Sequence, residues 1–512
     1  MITAPDRVVA LRPYQIDAVE SIINSFGDHD KNLAVMPTGS GKTIVFAEIA
    51  NRLRPRKTLI LAHREELIDQ AVDKIRKVSG AVSIGIEKAE RTANLTDDIV
   101  VASVQSMLRR PDKFPMSHFG LIVCDEAHHA LSDSWQSVLD RFSSCWVLGV
   151  TATPDRGDKR DLGGYFDNIA YELGIFELIK SGYLSNISVQ SVPINLDLRG
   201  KVRTTAGDFN SSDLDCALTP YLQQIADAMQ EHCRDRKTLV FLPLIETSKR
   251  FTQILTEKGM NAEHIDGTSE DRKEILARFD KAKRPSVLCN AMLLTEGYDC
   301  PSVDCIVVLR PTRSRPLYAQ MVGRGTRVDK GKKNLLLLDF LWMHERHALC
   351  RPSHLIAPTT DIAEDITRLS ASALGQVDLI SMMETATAQR EETLRRELAR
   401  NANKKAKVID ISDYALSLHR LDLADFECSM RWHDEPVTTQ QVELLFRFGI
   451  DTSSVRCRGQ ASALLDVIIK RSKMGLATPK QVKWLKRMGY NKPEEATFEQ
   501  ASRWLEQRWG KK

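Results

Sequence analysis

The chain has no run of about 18 apolar residues, and its opening stretch, MITAPDRVVALRPYQ, has no basic segment leading into an apolar one. Neither a membrane span nor a secretory leader is expected, so a cytoplasmic location is the expectation. The ten cysteines, among them Cys124, Cys145, Cys289, Cys300 and Cys305, include no C-x-x-C pair and no Cys/His spacing that suits zinc. Buried free thiols in a reducing compartment follow. A charge excess is missing too: 72 basic against 68 acidic residues leave +4, too little to single out a ligand. What remains is ordinary globular composition, 42% hydrophobic and 27% charged, over 512 residues. That length prepares for roughly three or four domains.

Short apolar runs recur between residues 33 and 150: LAVM (33–36), TLILA (58–62), DIVVAS (98–103), LIVC (121–124) and WVLGV (146–150). Each is bounded by turn residues and separated from the next by an amphipathic stretch, the pattern of buried parallel strands in a doubly wound sheet. A second series follows, TLVFL (238–242), SVLCN (286–290), CIVVL (305–309) and NLLLLDF (334–340). Two α/β lobes in tandem are expected, residues 1–194 and 195–345, with the polar stretch 195–215 as an exposed connector or small insertion. Beyond about residue 345 the strand signal stops, and an all-helical C-terminal extension is expected: a basic helical linker region, 346–430, and then 431–512.

The last part repeats itself. TTQQVELLFRFGI (438–450) aligns with TPKQVKWLKRMGY (478–490) at an offset of 40 residues, and the same offset pairs Gln460, Ala461, Ser462 and Leu465 with Gln500, Ala501, Ser502 and Leu505. Ungapped matching of this kind implies two copies of one helical unit. Each copy opens on a threonine N-cap, Thr438 or Thr478, and its first helix stops at a glycine, Gly449 or Gly489. Trp484 and Trp504 are expected in the core rather than as stacking platforms for bases. Basic residues crowd 390–407, including Arg390, Arg395, Arg396, Arg400, Lys404, Lys405 and Lys407. They form either a track for phosphate or a solvated helix face.

Chemistry concentrates at strand ends. LAVM runs into PTGSGKT (37–43) and then a helical pattern. Gly39 and Gly41 let the backbone curl so that N–H groups face phosphate, with Thr38 and Ser40 in the same loop. Lys42 would reach the β- and γ-phosphates of ATP, and Thr43 would ligate Mg²⁺. The strict motif begins with glycine, and Met36 stands there instead. LIVC delivers Asp125 and Glu126, the first suited to Mg²⁺ and the second to act as general base toward water. His129 reads as a surface histidine. In the second lobe Arg324 and Arg327, three apart on a helical segment, can meet phosphate together across from the Gly-rich loop, and Gln320 can sense the γ-phosphate.

PTGSGKT, DEAH (125–128) and TATP (151–154), in this order and each at a strand end, resemble motifs I, II and III of superfamily 2 helicases. The resemblance implies RecA-like lobes and assigns His128, Thr151 and Thr153 to coupling between the nucleotide and nucleic-acid sites. LRPYQ (11–15) is similar to the motif whose glutamine reads adenine, here Gln15. LAHREEL (61–67) and ASVQS (102–106) resemble the segments that grip a phosphate backbone, implicating His63, Arg64, Ser103 and Gln105. NAMLLTEGYDC (290–300) and QMVGRGTR (320–327) resemble motifs V and VI. From these, Thr295 and Gly297 become nucleic-acid contacts and Asp299 a ribose contact, while Thr312 opens TRSRPLY (312–318), a further backbone-contacting segment. The stretches between motifs look like the XPB, RadD and type III restriction-subunit branch, over residues 8–345. The resemblance implies an ATP-dependent helicase or translocase on duplex or branched DNA in recombination, repair or phage replication. An RNA helicase and a nucleotide-switched DNA clamp that never translocates stay open beside it, as does a protein partner for the tail.

Overall fold

The computed structural model describes residues 10–62, 65–79, 82–152, 162–194, 202–205, 208–282, 285–295, 298–341, 350–373, 375–401, 409, 411–428 and 431–509. The first sheet comprises β1 (Lys31–Val35), β2 (Thr58–Ala62), β3 (Ile84–Glu87), β4 (Ile99–Ser103), β5 (Leu121–Asp125), β6 (Trp146–Thr151) and β7 (Asn168–Glu172). Its order is β3-β4-β2-β5-β6-β1-β7, and every pairing is parallel. β2 and β4 are buried along their whole length, so an unbroken apolar run is the only pattern that hides both faces. β1 and β5 flank β6, which brings the loops leaving β1 and β5 to the same edge of the sheet.

Close packing at that edge leaves little slack. A methyl group on Gly149 of β6 would lie 2.4 Å from Phe166 Cζ and 2.9 Å from Ala127 Cβ, and Phe166 is fully buried. Gly149→Ala is therefore expected to lower stability by about 1–3 kcal/mol through overpacking, measured as a lower denaturant midpoint. An unchanged midpoint would mean that Phe166 moves aside freely.

The second sheet holds β8 (Ile187–Pro193), β11 (Lys237–Phe241), β12 (Ala262–Ile265), β13 (Ser286–Asn290), β14 (Cys305–Val308), β15 (Leu335–Leu341) and β16 (Val377–Asp378). It runs β12-β13-β11-β14-β15-β8-β16, parallel except for β16. β8 pairs with β15 from Ile187↔Leu335 onward, so the second sheet takes its first strand from before residue 195. The stretch taken for a connector also carries a short antiparallel pair, β9 (Thr204–Thr205) and β10 (Asp208–Phe209), followed by a helix, Ser211–Leu218, capped by Asn210. Phe209 and Leu214 join the second lobe's core, which anchors this part of the insertion. β16 adds two strand residues beyond 345.

The two sheets belong to one compact unit, and the chain from Ser381 belongs to another. In that helical unit both repeats are built alike. Thr438 and Thr478 each close a capping box, with Gln441 and Gln481. Gln441 Nε2 donates to Ser462 Oγ at 2.9 Å, and Gln481 Nε2 to Ser502 Oγ at 2.9 Å. Gly449 and Gly489 end the first helices at φ 81° and 78°, where the next amide reaches back to Leu445 O or Leu485 O. Leu445, Ala461 and Leu465 sit in one small core, and Leu485, Ala501 and Leu505 in the other.

Other expectations for the tail need correcting. Trp504 packs edge-on to Tyr490 at 5.2 Å, but Trp484 is 36% exposed, because it points away from the buried Val482 and Leu485 on its short helix. Arg390 is held by Asp425 and Asp361, so it is not a free cation for phosphate; the side chains of Arg395, Arg396, Arg400, Lys404, Lys405 and Lys407 lie outside the described residues. All ten cysteines are free thiols, but Cys216 is exposed and Cys350 and Cys428 are only half-buried. Among the described residues no helix is long and apolar enough to cross a membrane.

Candidate functional site

β1 ends at Val35, and Met36 is fully buried, its N–H donating to Thr151 O at 2.9 Å. Met36 is not among the positive-φ residues, so this position has no need of glycine and instead fills the core. Gly39 and Gly41 do need it, at φ 86° and 84°. A Cβ on Gly41 would come within 2.6 Å of Gln15 Nε2. Gly41 caps the helix Lys42–Arg52, whose free amides and dipole make an anion site.

Lys42 Nζ lies 3.1 Å from Glu126 Oε1. Glu126 follows β5 in a left-handed backbone conformation, φ 55°, ψ 64°, uncommon for a non-glycine and typical of strain stored at a site. Its Oε2 is buried without a hydrogen-bond partner, and His128 Nδ1 stands 3.7 Å from it. Burial pushes the Asp125 carboxyl up to about 6, with the charge of Glu126 adding to the rise and Lys42 opposing it. Burial alone would raise Glu126 too, but Lys42 and His128 outweigh it and hold Glu126 below the ordinary carboxylate value. The two adjacent carboxylates are thus unlike: Glu126 is held in its charged form, and the charged form of the half-buried Asp125 is disfavoured. The oxygen chemistry of Asp125, with Thr43 lining the cavity after the glycine-rich loop, suits a hard divalent ion such as Mg²⁺.

The second lobe closes the other side. Arg324 ends the helix Arg315–Gly323; its Nε donates to Thr295 O at 3.1 Å and a terminal nitrogen to Tyr298 O at 2.8 Å. Arg327 pairs with Asp299, and burial pushes its guanidinium below the usual arginine value. Its backbone is pinned from behind, accepting from Ser185 Oγ at 2.9 Å and Lys332 Nζ at 2.7 Å. A Cβ on Gly323 would sit 2.6 Å from Thr38 Cβ, so the bare backbone of one wall packs against the Thr38 side chain of the other. Between them lies a cavity of about 270 Å³ lined by Gly39, Gly41, Thr43, Asp299 and Arg327, a volume for a small polar ligand.

At one end of this cavity Arg12 lies over the Tyr183 ring, 5.2 Å from its centroid, and Tyr14 meets the same ring edge-on. Gln15 stands just behind, its Oε1 accepting from Arg12 N–H and its Nε2 donating to Ser40 O, both at 2.9 Å. One amide hydrogen and one lone pair of the carboxamide are left for a ligand. Arg12, Tyr183 and Lys74 also line the cavity and were not singled out from the sequence. Arg12 sits in LRPYQ beside Gln15, a signal that could have been used.

The remaining candidates are scattered. Thr151 and Gln320 are buried on β6 and the helix Arg315–Gly323. Ser103 is buried and caps a helix by accepting from Ser106 N–H, while Gln105 is exposed. Thr295 is buried and donates to Met292 O at 3.0 Å; Thr312 is buried and donates to Asp208 at 2.7 Å. The Ser103, Thr295 and Thr312 side chains are thus engaged within the protein. His63, Arg64, Thr153 and Gly297 lie outside the described residues.

Two doubly wound lobes, with the glycine-rich loop of one facing Arg327 of the other across a cavity, define a RecA-like core of the helicase type. Residues 8–156 match the family of the type III restriction enzyme res subunit, and residues 221–329 the helicase conserved C-terminal domain. The chain belongs to the superfamily 2 helicases, in the branch of the restriction res subunits and XPB. It is 34% identical to IRC3 of Saccharomyces cerevisiae, carried under the name of an ATP-dependent helicase, over 69% of this chain and 55% of that protein. With XPB2 of Sulfurisphaera tokodaii, named a DNA 3'-5' translocase, it shares 23% identity over 64% of this chain and 81% of the relative. A solved fragment from Vibrio vulnificus, described as an HsdR subunit of a type I restriction enzyme, superposes with a TM-score of 0.54 at 25% identity, over 66% of this chain and 65% of that one. The chain thus spans little more than half the length of IRC3.

Proposed function

We propose that the chain is an ATP hydrolase that drives translocation on duplex or branched DNA, with strand separation or remodelling in recombination or repair as its use. The observation that carries this reading is the single cavity bounded by Gly39, Gly41 and Thr43 from one lobe and by Arg327 and Asp299 from the other. The loop amides and Lys42 cradle the phosphates, and the adenine lies toward Gln15. Thr43 and Asp125 would hold Mg²⁺, which when bound offsets charge on the β- and γ-phosphates. Glu126 orients a water and takes its proton at the partnerless Oε2 as the water oxygen bonds to the γ-phosphorus and the bridging bond to ADP breaks. Arg324 and Arg327 stabilise the charge that spreads over the transferred group. Because ATP touches both walls, it favours the closed cleft, and hydrolysis removes that preference. A DNA backbone held by both lobes is then displaced once per cycle.

The name of the XPB2 relative supports DNA over RNA. ATP turnover by the full chain should rise on adding duplex or forked DNA, followed as phosphate release, and a third strand should be displaced from a triplex. Stimulation by RNA alone would overturn DNA as the track. DNA-stimulated hydrolysis without triplex displacement would make the chain a clamp.

A further inference from the structure

The helix Glu65–Ser79 buries Ile68, Ala71, Val72, Ile75 and Val78 and packs beside the helix that follows the phosphate loop. Lys74 lies three residues from Ala71 and four from Val78, at the rim of that buried face, so its side chain leaves the packed surface into the cleft. There it lines the same cavity as Gly39, Gly41, Thr43 and Arg327. Burial and the charges of Arg327 and Arg324 push its ammonium below the ordinary lysine value, while Asp125 pulls it back up. Lys74 therefore lines one small volume with Arg327 and feels the charges of Arg324 and of the carboxylate assigned to the metal. The other carboxylates of the cleft are already matched, Glu126 with Lys42 and Asp299 with Arg327. Lys74 and Arg327 face one cavity from two lobes, and an anion entering between them is attracted by both. The group that lies between the arginine wall and Asp125 in a bound triphosphate is its terminal phosphate.

We propose that Lys74 is a further cationic ligand of the γ-phosphate, supplied by the nucleotide-binding lobe itself, through which the cleft prefers a nucleoside triphosphate to a diphosphate. The proposal rests on the reading of the cleft as the nucleotide site. It gives that lobe its own contact to the phosphate that hydrolysis removes, so loss of the γ-phosphate is felt on both walls.

The test is a titration of the full chain, with Mg²⁺, using fluorescent ADP and a fluorescent non-hydrolysable ATP analogue. Lys74→Met keeps the aliphatic stem and removes the charge. It should weaken the ATP analogue by about 10- to 100-fold, the worth of one charge-assisted hydrogen bond, and leave ADP unchanged. Lys74→Arg should recover most of the difference. Equal weakening of both nucleotides, or of neither, overturns the proposal, since a packing role for Lys74 would not separate them. Should the methionine variant fail to fold, Lys74→Gln carries the same comparison. Gly41→Val, which strains the left-handed backbone and strikes Gln15, should abolish binding of both nucleotides. If it binds both normally, the nucleotide site lies elsewhere. If it loses both while Lys74→Met behaves as wild type, only the role of Lys74 fails.

Discussion

Lys42→Ala should lower ATP turnover by about 10²–10³-fold or more, the cost of removing one preorganised charge from a phosphoryl-transfer site. Two losses combine. The triphosphate loses the ammonium at the N-terminus of the helix Lys42–Arg52, and Glu126 loses the cation 3.1 Å from its Oε1. Lys42 is the largest influence holding Glu126 below the ordinary carboxylate value against its own burial. Without it the Glu126 pKa rises, and a larger share of the carboxylate carries a proton and cannot act as base. The defect should therefore be most severe at low pH and ease only in part as pH rises, because alkali restores the base but not the ammonium. Phosphate release measured against pH, with a thermal melt to show that the variant is folded, checks this. Turnover near the wild-type rate in the folded variant would remove the glycine-rich loop from the mechanism.

Glu126→Gln should reduce turnover by about 10²–10⁴-fold, the range for a positioned general base, while ATP stays bound. The carboxamide has the same shape, and its oxygen can still accept from Lys42, so the cleft keeps its packing. What disappears is the negative charge beside the phosphates and the site for the proton of the attacking water. Removing an anion from a phosphate pocket strengthens rather than weakens ATP binding. Gel filtration after incubation with ATP should recover intact ATP with the variant and ADP with the wild type. Recovery of ADP from both would assign the base to another residue.

The parts of the fold legible in the sequence are those buried on both faces. β1, β2, β4, β5 and β6, and β11, β13, β14 and β15, all announce themselves as apolar runs. Within the two large sheets the strands not anticipated sit at the margins: β3 and β7 are the two edges of the first, β12 and β16 the edges of the second, and β8 is next to β16. An edge strand has neighbours on one side only, and β7 and β12 are mostly half-buried, so no continuous run marks them. β8 stands where the chain crosses between lobes, which is why a boundary drawn at residue 194 left it with the first lobe.

The site divides the same way. Gly39, Gly41, Lys42, Asp125 and Glu126 were readable because a strand end and a tight turn dictate their local geometry, and Arg324 and Arg327 because of their spacing. Lys74 looks like any charged residue of an amphipathic helix until packing turns it toward the cleft. Tyr183 sits in a polar turn whose place opposite Arg12 follows from pairing 141 to 143 residues away, Leu184 with Arg327 and Ser185 with Arg327 and Thr326. The 40-residue repeat was legible for the opposite reason: its caps, glycines and glutamine–serine bonds are all short-range.

The bare Cα of Gly323 resting on the Thr38 side chain limits how closely the two walls of the cleft approach. One methyl group there would have to hold the jaws about 1 Å further apart to reach an ordinary contact, and a displacement of that size costs about 10² in rate. Under the proposed function, Arg324, which follows Gly323 at the end of the same helix, would be held back from the phosphate by that amount. On the proposed reading, glycine at 323 thus sets how far the cleft can close.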